Sequence, residues 1–260
     1  MSRIFITGST DGLGALAAGL LISQGHAVVL HARNIQRAED AARRLPAAES
    51  VVIGDLSSIS QTRSVAEQIN KLGRFDAVIH NAGVGYDHFG RIETEDKLPH
   101  IFAVNVLAPY ILTALIHRPE RLIYLGSSMH HGVKANLSDI RWLNRAWNGM
   151  EAYSESKFYD VMLAFAISRY WPDCYANAVD PGWVPTRMGG SDAPDDLDKG
   201  YETQAWLAIS RDPAACVSGK YFHHMKAHQS DPAVYDENLQ DRFMSICKEL
   251  TGIAMPDHKA

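Results

Sequence analysis

The stretch Arg3-Ile4-Phe5-Ile6-Thr7-Gly8-Ser9-Thr10-Asp11-Gly12-Leu13-Gly14 runs from a short apolar segment through three glycines into a helical pattern. Strand, glycine turn and helix in that order are what a dinucleotide-binding unit requires. Gly8 allows the tight turn, Gly12 lets backbone approach a pyrophosphate, and Gly14 lets the helix pack close to the strand. The amides of Ser9, Thr10, Gly12 and Leu13 then lie where a helix N-terminus meets phosphate charge. Local donors matter in this chain, because 25 Lys and Arg against 30 Asp and Glu leave a formal charge of -5. That balance provides no general attraction for a nucleic-acid backbone or an anionic membrane.

Outward from the turn, short apolar runs alternate with longer helical patterns. Strands are expected at Ile4 to Thr7, Ala27 to His31, Ser50 to Ile53, Phe75 to His80, Arg121 to Gly126, Tyr175 to Val179 and near Lys220 to His223. Helices are expected over Leu13 to Gln24, Gln36 to Arg44, Ile59 to Leu72, Pro99 to His117, Glu151 to Trp171 and Lys199 to Ser210. The alternation predicts an α/β fold: one doubly wound Rossmann domain over residues 1–260, with a mostly parallel seven-stranded sheet covered by helices on both faces. A last helix, opened by Asp231 as N-cap and Pro232, carries Tyr235, Leu239, Phe243, Ile246, Cys247 and Leu250 on one face and should dock on the same core. Three cysteines, no apolar run of about 18 residues, and a strand pattern beginning at Arg3 predict a cytoplasmic protein without disulfides or a membrane span.

The second strand ends His31-Ala32-Arg33-Asn34, where such a unit places the reader of the cofactor ribose. A carboxylate there would bind the free 2'-hydroxyl of NAD; Arg33 suits a 2'-phosphate bidentately. The expected cofactor is NADP(H), with NAD(H) as the alternative. Against this, Asp11 puts an acid in the glycine turn.

Further motifs follow in order: Asp55-Leu56, Asn81-Ala82-Gly83, Asn105, Ser127-Ser128, Tyr153-Ser154-Glu155-Ser156-Lys157 and Pro181-Gly182. As a set they resemble the compact, single-domain branch of the short-chain dehydrogenase/reductase superfamily. The long segment between Ser128 and Tyr153 is similar to its retinol-dehydrogenase and protochlorophyllide-reductase side. The resemblance implies that Asp55 and Leu56 flank the adenine, and that Asn81, Ala82 and Gly83 steady the sheet beside the cofactor. It also implies that Pro181, Gly182, Val184 and Thr186 contact the nicotinamide end, and that the protein forms a homodimer or homotetramer by helix packing.

Tyr153 and Lys157, four apart in a helical pattern, project from one face. The Lys157 ammonium and an oxidised nicotinamide should together lower the phenol toward the working pH, so that Tyr153 exchanges a proton with a carbonyl or alcohol substrate. The resemblance assigns the substrate's hydrogen bond to Ser128, the second serine of its pair. Asn105 precedes Pro109, which has no N-H to reach the Asn105 carbonyl; that carbonyl is then free for water on the lysine's path to solvent. The function so predicted is hydride transfer between a carbonyl and an alcohol. Reduction of an activated C=C bond, or cofactor sensing without turnover, are the alternatives. Trp142, Trp147 and Met129 either wall a pocket for an apolar substrate or pack in the core. Residues 183–198 begin where the family's substrate lid begins, and His130-His131 and His223-His224 with His228 are read as packing or surface histidines, with no metal site.

Overall fold

Residues 1–86 and 90–257 are described by a computed structural model of the chain. Its strands are β1 (Arg3–Ile6), β2 (Ala27–Ala32), β3 (Ser50–Ile53), β4 (Ala77–His80), β5 (Arg121–Leu125), β6 (Tyr175–Asp180), β7 (Tyr221–His223) and β8 (Lys226–His228). They form one sheet in the order β3-β2-β1-β4-β5-β6-β7-β8. The first seven run parallel, and β8 alone pairs antiparallel, with β7. The strand order reverses between β1 and β4, so a crevice opens there at the carboxyl ends of the strands.

Helices α1 (Gly12–Ser23), α2 (Ile35–Arg44) and α7 (Leu197–Ile209) cover one face of the sheet. The other is covered by α3 (Ile59–Leu72), α4 (His100–Phe102) with α5 (Ala108–Leu115), α6 (Gly149–Tyr170) and α8 (Glu237–Thr251). Alternation along β1 divides the two layers: Ile4 and Ile6 join the α1 core, Phe5 the α6 core. Most of the helices start on a side-chain cap, as with Asp11 on Gly12 N, Asn34 on Arg37 N and Asn148 on Glu151 N.

Three expectations need correction. The sheet has eight strands rather than seven, because the chain reverses after β7 through His224 and Met225, both at positive φ (47° and 59°). Such a turn ordinarily calls for Asn or Gly, so the hairpin has no sequence signal. The helix expected over Pro99 to His117 is α4 and α5 joined by a π-helical stretch, Ala103–Leu107. Asp231 and Pro232 open only a 3-10 turn; α8 begins at Glu237, capped by Asp236.

The connection between β5 and α6 is held down by a buried carboxylate. Arg145 donates to both oxygens of Glu155, at 2.6 Å each, and lies 3.5 Å over the Trp142 ring, whose Nε1 also donates to Glu155. Trp142 is buried against Ile101 and Ala152, so of the two readings it takes the packing one. Beyond it, Phe243 of α8 stacks on Tyr159 of α6, and the Tyr110 hydroxyl of α5 donates to the Ile253 carbonyl. Among the described residues no helix is long and apolar enough to cross a membrane.

Candidate active site

The glycine turn is built as its sequence requires. Gly8 has φ +62°, and a Cβ there would lie 2.8 Å from the Ala82 backbone; at Gly14 it would lie 2.3 Å from the Asn81 amide. Gly12, at φ +53°, faces open space. Asn81 Nδ2 donates to the carbonyls of Thr7 and Gly8, and the Thr7 hydroxyl accepts from Ala82 N, which ties the turn to the end of β4. Ser9 is buried and braces the turn: its hydroxyl donates to the Ile6 carbonyl and accepts from His31 N. His31 Nδ1 accepts from Gly8 N at 3.0 Å while Nε2 donates to the Gly54 carbonyl at 2.9 Å. Burial pushes His31 down to about 4, so the ring is neutral with its proton on Nε2. Sequence reasoning gave His31 no role, since nothing in its neighbours announces that it reaches back to the turn.

A groove of about 520 Å³ runs from this turn along the crevice. Gly8, Thr10, Gly12, Leu13, Asp55, Leu56 and the Asn81-Ala82-Gly83 run line it, with Pro181 and Thr186 at the far end. Arg33 lines it as expected, and so does Arg37, which the sequence reading missed. Arg37 lies in the first turn of α2, and its Nη1 donates to the Thr10 hydroxyl at 3.3 Å. Arg44 lies 3.6 Å from Asp11 and donates to the Thr10 carbonyl, so the acid in the turn has its own counter-charge. Asn34 spends its side chain on the α2 cap. Gly182 is at φ +80°, and a Cβ there would meet Asp195; Val184 is buried beside Gly200.

Tyr153 and Lys157 line the same groove from α6. Burial pushes the Tyr153 phenol above its ordinary range, and Lys157 is the group that opposes the rise. Lys157 thus acts on the phenol in the expected direction, and in the chain by itself desolvation is the larger effect. Lys157 Nζ lies 5.8 Å from the centre of the Tyr153 ring and donates to the Leu125 carbonyl at 2.7 Å and to Asp160 Oδ2 at 2.9 Å. Asp160 was not singled out in the sequence. Asn105 is buried in the π-helical stretch, and its amide bridges elements: Oδ1 accepts from Val84 N, and Nδ2 donates to the Val84 carbonyl and the Ser156 hydroxyl. Of the serine pair, Ser127 accepts from Met129 N and so caps the following 3-10 turn, while Ser128 is exposed.

In each histidine pair one ring is hydrogen-bonded, His130 in the first and His223 in the second, and the two rings of each pair lie against one another. His130 is buried, donates Nδ1 to the Ser127 carbonyl and accepts at Nε2 from Ser230 and Asp231 N. His223 and His224 stack on one another. No group of three or more metal-ligating side chains occurs among the described residues.

A dinucleotide fits the groove on these observations: the space at Gly12 admits a phosphate to the α1 N-terminus, and two guanidinium groups stand at the ribose end. Residues 2–196 match the family model for short chain dehydrogenases. An uncharacterized oxidoreductase of Emericella nidulans is 45% identical over 98% of this chain and 99% of its own. Human retinol dehydrogenase 13 is 29% identical over 97% of this chain and 85% of its own. Among solved structures, an uncharacterized protein of Mycobacterium paratuberculosis superposes with a TM-score of 0.83 at 23% identity, covering 98% and 95% of the two chains. A blue fluorescent protein from a metagenomic library, in complex with NADPH, gives 0.67 at 22% identity over 85% and 95%.

Proposed function

Because the chain belongs to the short-chain dehydrogenase family of NAD(P)-dependent oxidoreductases, we propose that it is an NADP(H)-preferring enzyme interconverting a carbonyl and an alcohol. The observation that carries this reading is one groove lined by the glycine turn and Arg33 with Arg37 at one end, and by Tyr153 with Lys157 at the other. The NADPH held by one structural neighbour supports the choice of cofactor.

When bound, NADPH supplies the hydride. Gly12 and Leu13 would hold its pyrophosphate, Arg33 and Arg37 the 2'-phosphate, and Asp55 and Leu56 the adenine. Pro181 and Thr186 would border the nicotinamide. In reduction Tyr153 gives its phenolic proton to the oxygen of the substrate as negative charge develops there. Ser128 donates a hydrogen bond to the same oxygen. In oxidation Tyr153 takes the proton from the alcohol, and Lys157 favours the phenolate electrostatically. Asn105 holds the segment after β4 against Ser156, one turn from Tyr153, and so fixes the wall of the site.

Residues 1–260 act in this reading as a single NAD(P)-binding domain, with 183–198 as the substrate lid. Within that segment Trp183 N donates to Asp195 Oδ2 and Asp195 N to the Trp183 carbonyl, while Arg187 and Met188 border the groove. Three unpaired cysteines fit a reducing, cytoplasmic setting. A second copy of the chain would dock elsewhere than on α6, whose outer face α8 already covers.

The test is a panel of apolar aldehydes, ketones and alcohols followed by NADPH absorbance, with each active compound repeated with NADH and with Tyr153→Phe. Turnover that prefers NADPH and falls about 10²–10⁴-fold in Tyr153→Phe, with NADPH still bound, is the expected result. Full activity in Tyr153→Phe contradicts the assignment.

A further inference from the structure

We propose that Asp160 is a positioning residue of the active site, which holds the Lys157 ammonium between its own carboxylate and the Leu125 carbonyl and so extends the tyrosine and lysine pair into a triad. The inference rests on the functional reading above.

Lys157 and Asp160 are three apart on α6 and are 5% and 2% exposed. An ammonium has three N-H donors. Two are spent on Leu125 and Asp160, which leaves the third for the groove that Lys157 lines. The second carboxylate oxygen, Asp160 Oδ1, is buried with no hydrogen-bond partner, a cost that helix stability does not require. A buried ion pair is often no more stabilising than two apolar side chains of similar size, and the neighbours of this pair on α6, Phe158, Val161 and Ala164, are apolar. The pair is therefore best explained by what it does to Lys157.

Several groups face the pair. On α6 there is Tyr153; from β5, Tyr124, with Thr113 and His80 hydrogen-bonded behind it; from β6, Asp180; from the π-helical stretch, the neutral Asn105. Asp180 accepts from Tyr221 and Gly182 N. Asp160 is thus the carboxylate in contact with Lys157 among the described residues. Burial by itself would strip the Lys157 proton, but Asp160 and Tyr153 outweigh it and raise Lys157 above the ordinary lysine range. Burial likewise pushes Asp160 up, with Lys157 opposing. Without the Asp160 carboxylate, Lys157 would be a buried cation with no counter-charge in contact, only the more distant Asp180, and would lose its proton at lower pH.

The experiment is a fluorescence titration of NADPH from pH 6 to 9.5 in the wild-type chain and in Asp160→Asn, with thermal melting to confirm folding. The wild type should hold a nearly constant Kd between pH 7 and 9, and Asp160→Asn should weaken by about tenfold over the same span as Lys157 discharges. A variant that follows the wild type at every pH overturns the inference, and so does a wild type that itself weakens tenfold between pH 7 and 9. If Asp160→Asn does not fold, the paired variant Lys157→Met with Asp160→Leu removes both charges. It should bind NADPH as Lys157→Met alone does; weaker binding means that Asp160 acts independently of Lys157 and contradicts the proposal. A wild-type chain that binds neither NADPH nor NADH overturns the functional reading together with this inference, whereas wild-type binding with an indifferent Asp160→Asn overturns this inference alone.

Discussion

At the residue scale, the site divides into groups whose chemistry is written in the sequence and groups that only the fold recruits. Arg33 and the three glycines stand at fixed spacings from strand ends, Tyr153 and Lys157 at a fixed spacing from one another, and spacing survives folding. Arg37, His31 and Asp160 carry no such mark. Arg37 reaches the groove because α2 starts at Ile35, and Asp160 reaches Lys157 because both occupy a buried face of α6. In the proposed reading, the choice between the two nicotinamide cofactors falls to Arg33 and Arg37. Arg37→Ala should weaken NADPH by about 1.5–3 kcal/mol, on the order of ten- to a hundredfold in Kd, and leave NADH within about twofold, as read by paired titrations. Equal losses for both cofactors would mean that Arg37 supports the fold of the turn instead of a 2'-phosphate.

At the element scale, strands and long helices were legible because an apolar run or a capped periodic segment is a local property. The departures occur where backbone geometry depends on partners far along the chain. The π-helical stretch around Asn105 comes just before Pro109, whose missing N-H the sequence does show, yet where the helix widens is set by packing against Val84 and Ser156. The β7–β8 hairpin turns on two residues at positive φ that a sequence would not nominate. The strands also carry buried histidines, His31 on β2 and His80 on β4, which burial holds at about 4 and about 3. Unfolded, each would titrate near 6.5, so the unfolded chain binds more protons than the folded one below that pH. Their neutral burial therefore costs no stability above about pH 6.5 and an increasing amount as the pH falls toward 4. Thermal melting should show Tm dropping from pH 6 to 4, offset in part by Asp160, which burial pushes up to about 7 and which therefore favours the folded chain as the pH falls, and His80→Asn should flatten the drop. A wild-type melting curve unchanged down to pH 4 would contradict the assignment of both rings as neutral.

At the scale of the whole molecule, two helical layers on a parallel sheet bring the glycine turn, the cations of α2 and the tyrosine of α6 to one crevice. The family and its reliance on a nicotinamide cofactor were legible from ordered motifs spread across most of the chain. The substrate was not, because the 129–150 connection and the 183–198 segment, where the sequence offers candidate pocket walls, take conformations fixed by contacts such as Arg145 with Glu155 and Trp183 with Asp195. The most direct test of the central claim follows a deuterium carried as hydride on NADPH into the product of any compound the enzyme turns over. The account predicts an alcohol with one deuterium on its carbinol carbon, formed about 10²–10⁴-fold more slowly when Tyr153→Phe replaces the wild type; deuterium in a saturated C-C bond next to an intact carbonyl would contradict it.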